Sequence, residues 1–221
     1  MRLAASLAIL CVLLASSVRA GGDEEAGLQE LLRDGNGVTK HWNGTPVLVV
    51  LDSVMIYRTG DVGNYTATNE RLTDEDVDDL VKDLTAALQL LTGNTYSSFA
   101  SVERESVPAG TAANVFRPGK IVVGRFRDVR KLIQDIGLGG TATRADGTIK
   151  GAAIILDAEF DSTSDRRHLL RTHELGHALG YNHVLSQVSI MNPRIGSEPT
   201  SFDRAAAKIA FHTSAPAATA N

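Results

Sequence analysis

The run His173-Glu174-Leu175-Gly176-His177-Ala178-Leu179-Gly180-Tyr181-Asn182-His183 holds the residues best suited to chemistry. It fits H-E-x-x-H-x-x-G-x-x-H at every fixed position. Such a match arises by chance on the order of once in 10⁵ chains of this length. His173 and His177 are four apart, so on a helix they lie on one face a turn apart and both imidazoles can reach one ion. Glu174 sits beside that face, near enough to touch a water on the ion without ligating it. His183 cannot belong to the same helix, because ten residues at about 100° each would turn it away. The helix must break first, and Gly180 can accept the positive φ that a break requires. Three neutral nitrogen ligands with one open position describe a catalytic zinc site. The chemistry expected is hydrolysis, with Glu174 as the general base that takes a proton from water and passes it to the leaving amine. His41, His168 and His212 belong to no such pattern and are given no role.

The elements that must position this run can be read outward from it. Ser162 and Asp165 stand in capping-box spacing before the helix, with Leu169 and Leu170 available for the core. Upstream, Ala152 to Leu156 and Lys120 to Phe126 read as strands, with a short helix over 128–136 and a weaker strand over 139–145. Val47 to Val54 is a dense β-branched run, expected to be one buried strand. Residues 58–71 are polar, with Gly60, Gly63 and Asn64, and read as a loop. Thr73 with Asp76 caps a helix whose stripe is Val77, Leu80, Val81, Leu84, Leu88 and Leu91, stopped by Gly93. A strand is expected near Tyr96 to Val102, and Pro108 and Gly110 mark a loop. This order implies a mixed sheet with helices packed on it.

Composition sets the outer bounds. The chain has 221 residues, 43% hydrophobic and 22% charged, and a formal charge of −4, which fits one folded domain. No long basic run points to nucleic acid or to an anionic membrane. Arg2, an apolar stretch from Leu3 to Ala15 and the ending Val18-Arg19-Ala20 read as a secretory signal peptide over residues 1–20, hence an extracellular or periplasmic address. Residues 21–45 read as a flexible or briefly helical lead-in or short pro-segment, 46–212 as the catalytic domain, and 213–221 as a disordered tail. Cys11 is the one cysteine, so no disulfide is expected in the mature chain. Asn43 and Asn64 begin glycosylation-type triplets, read as chance occurrences.

These residues resemble the metzincin zinc peptidases. Ser189-Ile190-Met191-Asn192-Pro193 is similar to the methionine turn that the family places under its zinc, with Met191 in the key position. The size, the approach from Ile154 to Phe160 and the closing helix from Ser201 to His212 look most like the matrixins. The resemblance covers roughly residues 150–212. It implies a twisted mixed sheet with an antiparallel edge strand near the zinc, packed on the active-site helix and two or three further helices. It also implies one catalytic Zn²⁺ held by His173, His177 and His183, with Gly180 and Met191 in structural roles. The departures are specific. No cysteine remains to hold the enzyme latent, and no histidine in 127–150 can bind a second zinc. Calcium, common in matrixins, is left open by the resemblance, with no supporting pattern in the sequence. Val184 stands where several subfamilies carry an acid, and no tyrosine adjoins Met191, so no fifth ligand is expected.

The function expected is a secreted metalloendopeptidase, a monomer acting on an extended peptide or protein segment, with no nucleic-acid or membrane partner. The edge strand over 139–145 would pair with substrate, and residues 192–196 would wall a side-chain pocket, with Arg194 either favouring acidic or polar side chains there or pointing to solvent. Two rivals use the same residues: a zinc amidase acting on a non-peptide amide, and an inert binding protein of the same fold.

Overall fold

The computed structural model describes residues 22–60, 63–194 and 196–212. The expected signal peptide and C-terminal tail lie outside them. Among the described residues, no helix is long and apolar enough to cross a membrane.

The fold is mixed α/β, a curled mixed sheet with six helices among the described residues. Helix α1 spans residues 22–32. Strands β1 (Val47–Leu51) and β2 (Ser53–Ile56) are followed by β3 (Asn64–Arg71) and α2 (Asp74–Leu91). Next come β4 (Val102–Glu105), β5 (Ala112–Asn114), β6 (Lys120–Arg127), α3 (Val129–Ile133) and β7 (Gly137–Thr143). The chain ends with β8 (Ile149–Asp157), α4 (Ala158–Thr163), α5 (Arg167–Leu179) and α6 (Ser201–His212). Strands β4, β1, β6 and β8 run parallel, and β7 adds to β8 antiparallel at the edge.

Side-chain alternation splits the core between two faces. Leu48, Val50, Ile121, Val123, Ala152, Ile154 and Leu156 point to the face covered by α2 and α5. Val49, Leu51, Val122, Ala153 and Ile155 point to the other, where Tyr65 and Ala67 of β3 and Ala113 of β5 cover them. The sheet thus closes its second face by curling over itself.

Four local expectations need correction. The run expected as one strand over 47–54 is interrupted at Asp52, where the sheet forks: β1 pairs with β4, and β2 with β3. The Asp52 carboxylate takes Arg71 at 3.2 Å and Arg104 at 3.1 Å, tying both branches to the fork. The segment expected as a loop over 58–71 contains β3, whose inward residues are only Tyr65 and Ala67, too sparse a pattern to read as a strand. The strand expected near 96–102 begins only at Val102. Ser162 lies inside α4, its hydroxyl donating to the Ala158 and Glu159 carbonyls, and α5 starts without a side-chain cap.

Helix α2 has the expected geometry. Thr73 accepts from the Asp76 N–H and Asp76 accepts from the Thr73 N–H, closing a capping box. Its Leu80, Leu84, Leu88 and Leu91 are buried in the core cluster that α2 shares with the sheet and α5, each contributing about 1.5–3 kcal/mol.

Candidate metal centre

Helix α5 is held from both ends. Near its start, Arg171 is fully buried and meets Asp161 at 2.7 Å, Asp83 at 2.8 Å and Asp79 at 3.0 Å. Asp161 also takes Arg125 from β6 at 2.8 Å. This network fastens α5 to α2, α4 and the sheet. At the other end Trp42 Nε1 donates to the Ala178 carbonyl at 3.0 Å. Gly180 then ends the helix with φ 108°, and a Cβ there would lie 2.8 Å from Lys40 Cβ. The break turns the chain back, as the position of His183 requires.

The structure brings His173, His177 and His183 together. Their Nε2 atoms form a near-equilateral triangle with sides of 3.1, 3.1 and 3.2 Å. These contacts cannot all be hydrogen bonds. His173 Nδ1 donates to the Ile190 carbonyl at 2.7 Å, and His177 Nδ1 to the Tyr181 carbonyl at 2.9 Å. A carbonyl only accepts, so the proton of each neutral ring is on Nδ1 and Nε2 presents a bare lone pair. Burial, opposed by the carbonyl bond, holds His173 below its ordinary pKa. Burial and the neighbouring His173 push His177 down to about 3, and burial lowers His183 as well. The rings are therefore in the ligating form at neutral pH. Lone pairs facing one another at this distance repel unless a cation lies among them. Three nitrogens about 2.0–2.1 Å from one tetrahedral ion are separated by about 3.3 Å, close to the observed sides. The donor set and its spacing fit a zinc ion.

Glu174 faces the same cleft, a cavity of about 210 Å³ that also touches Gly137, Leu138, Gly139 and Pro193. Burial, with the charge of Asp135 adding to it, pushes its carboxyl up to about 8, against the Gly139 N–H, which donates to it. Glu174 packs directly under β7. A Cβ on Gly137 would lie 2.7 Å from Glu174 Oε1, and one on Gly139 would collide with the Glu174 carbonyl oxygen. Gly137 and Gly139 are thus explained by close approach of the edge strand to α5.

The turn bearing Met191 lies beneath the helix. Met191 is buried, and its Sδ occupies the place a Cβ on Gly176 would need. Its neighbour Ile190 supplies the carbonyl that orients His173. The turn is held from α6, where Asp203 bonds the Ser189 hydroxyl and accepts the Ile190 N–H at 3.2 Å.

Sequence reasoning missed Asp135, Gly137, Gly139 and Gly176. The glycines left a visible signal in the run over 137–140. Asp135, an exposed loop acid, left none. Of residues 192–196, Pro193 lines the cleft; Arg194 is not among its lining residues. Compared with protein-family models and with curated protein sequences, the chain matches none.

Proposed function

We propose that this chain is an exported zinc-dependent metalloendopeptidase, matrixin-like among the metzincins, that hydrolyses extended peptide as a monomer. One observation carries the reading: three Nε2 lone pairs converge in a cleft beside a buried glutamate, with Nδ1 of two of the rings already committed to carbonyls. His173, His177 and His183 would hold the ion. When bound, a zinc ion supplies a Lewis acid that polarises a carbonyl and lowers the pKa of water. Glu174 takes the proton of the attacking water and delivers it to the departing amine. Its upward-shifted pKa in the absence of metal suits that role, since a nearby dication returns the carboxyl toward the ionised form. Leu138 and Pro193 border the reacting centre and help keep it dry. Strand β7 pairs only with β8 among the described residues, so an extended peptide can add to its other side through backbone bonds. With Asp135 at the cleft and no Lys or Arg in its lining, the site suits a neutral or basic side chain rather than an acidic one.

The test is elemental analysis of protein purified without added metal, followed by peptide digestion with and without a chelator. About one zinc per chain and chelator-sensitive cleavage are expected. Full activity with iron or with no metal would sink the proposal. Turnover of a non-peptide amide panel with peptides untouched would make the protein an amidase, and zinc without any turnover would make it a binding protein.

A further inference from the structure

His183 is the one ligand outside helix α5, and it is exposed. Its segment is irregular, so what fixes it must come from its neighbours. From one side the methionine turn contributes: the Val184 N–H donates to the Met191 carbonyl at 3.0 Å, and Asn192 Nδ2 to the Val184 carbonyl at 2.6 Å. The other side is held by the N-terminal segment. The Asn182 N–H donates to the Leu31 carbonyl at 2.9 Å, and Asn182 Nδ2 to the Arg33 carbonyl at 2.8 Å. The Glu30 carboxylate accepts the Leu185 N–H at 2.8 Å, the Ser186 N–H at 3.3 Å and the Ser186 hydroxyl at 2.8 Å. Residues on both flanks of the third histidine therefore end on α1 or the turn that follows it.

Helix α1 is itself anchored, which a brace must be. Leu31 is 1% exposed and belongs to the main core. Gly27 faces the loop so closely that a Cβ would lie 2.5 Å from Gln187 Cγ and 3.2 Å from the Phe202 ring. Burial raises the Glu30 carboxyl, but the Ser186 and Leu185 bonds outweigh it, so its pKa lies below the ordinary value and it remains an acceptor at neutral pH.

We propose that Glu30 is a positioning residue for the metal centre: through the Leu185 and Ser186 amides it holds the loop that presents His183, so that α1 sets the affinity of the site. The segment read from sequence as a flexible or briefly helical lead-in or short pro-segment is then a working support for the ligand set. The inference rests on the reading of the three histidines as a metal centre. Glu30 touches neither ion nor substrate. It removes the ordering cost that a free loop would impose on each binding event.

The experiment measures zinc dissociation constants on the full chain by competition with a chromophoric chelator. In parallel, amide hydrogen exchange is followed at Leu185 and Ser186 in metal-free protein. Glu30→Ala should weaken zinc binding about tenfold and accelerate exchange at both amides. Glu30→Gln keeps one carbonyl acceptor and should fall between Glu30→Ala and wild type. Val49→Ala, in the core on the far face of the sheet, should lower the melting temperature and leave zinc affinity unchanged. Equal zinc affinity in wild type and Glu30→Ala, unchanged exchange at both amides, or an affinity that simply follows melting temperature across all three variants overturns the brace. Wild type that takes up no zinc overturns the reading of the site itself, a different failure.

Discussion

The candidate metal centre is built from two regions of opposite character. His173, Glu174 and His177 ride on α5, whose position is set by an ion-pair network that joins it directly to α2 and α4 and, through Asp161, to β6. His183 rides on an irregular loop, set by backbone hydrogen bonds to α1 and to the methionine turn. The helical part is placed by core packing, so disturbing it disturbs the fold. The loop part is placed by a few exposed or half-buried bonds, so it can be loosened while the fold stands. Two ligands arrive with the fold, and the third is added by local bracing.

The sharpest separation comes from removing chemistry without touching either support. Glu174→Gln keeps the shape of the side chain and removes the proposed base. Turnover of peptide should fall about 10²–10⁴-fold, with zinc content and melting temperature close to wild type. Activity within about tenfold of normal would mean that Glu174 is not the base.

The next largest effect breaks the helical support. Asp161→Asn leaves Arg171 and Arg125 buried with a neutral partner where each had a carboxylate. Breaking a buried pair by one partner costs about 3–5 kcal/mol, and Asp79 and Asp83, which remain for Arg171, place the cost near the lower end. Melting temperature and zinc affinity should fall together, in contrast to the Glu30 variants. If denaturant unfolding shows no loss, the network does not set α5.

Titration of metal-free protein probes the shared centre through two groups shifted in opposite directions. His177 sits at about 3 in the folded chain against 6.5 ordinarily. The unfolded chain therefore takes its proton first, and stability falls as pH drops from 6.5 toward 3. Glu174 sits at about 8 against 4.5, so its favourable contribution is complete below 4.5 and is lost as pH rises through 8. The two oppose each other between 4.5 and 6.5, which puts the melting-temperature maximum there. Glu174→Gln should flatten the alkaline limb and leave the acid limb. An alkaline limb of undiminished slope in that variant would assign it to some other group.

How much of this was legible in the sequence follows from how local each constraint is. The candidate ligands, the proposed base and the helix break lie within eleven consecutive residues, so spacing alone could place them around one ion. Thr73 and Asp76 announce α2 because a capping box is written in four residues. Strand β3 was hidden because the curl of the sheet leaves it two inward side chains, Tyr65 and Ala67. The role of α1 was hidden for another reason. Glu30 bonds backbone N–H groups some 155 residues away, and every residue type but proline supplies such donors. Asp135 reaches the cleft only because α3 and β7 fold beside it, and an exposed loop acid carries no mark of that.

Two glycines on opposite sides of α5 give the finest test of the contrast between rigid and adaptable support. Gly139 approaches from β7, and the atom its Cβ would strike is the Glu174 carbonyl oxygen, part of the helix backbone. Gly176 faces the methionine turn, and its Cβ would strike Met191 Sδ, an atom near the end of an unbranched side chain. Backbone cannot move aside without shifting α5 or β7, whereas a thioether can swing into another rotamer. Gly139→Ala should therefore cost about 2–3 kcal/mol in denaturant unfolding and also displace the N–H that Glu174 accepts, lowering turnover. Gly176→Ala should cost only about 1 kcal/mol, the smallest effect in the series, because Met191 can yield. Its movement is not free of consequence. Ile190 precedes Met191 and its carbonyl orients His173, so a displaced turn should weaken zinc binding by a few-fold, on the scale of a disturbed outer partner or less. A Gly176→Ala protein as destabilised as Gly139→Ala would mean that the methionine turn is as rigid a support as the edge strand, and the division between the two halves of the site would then fall elsewhere.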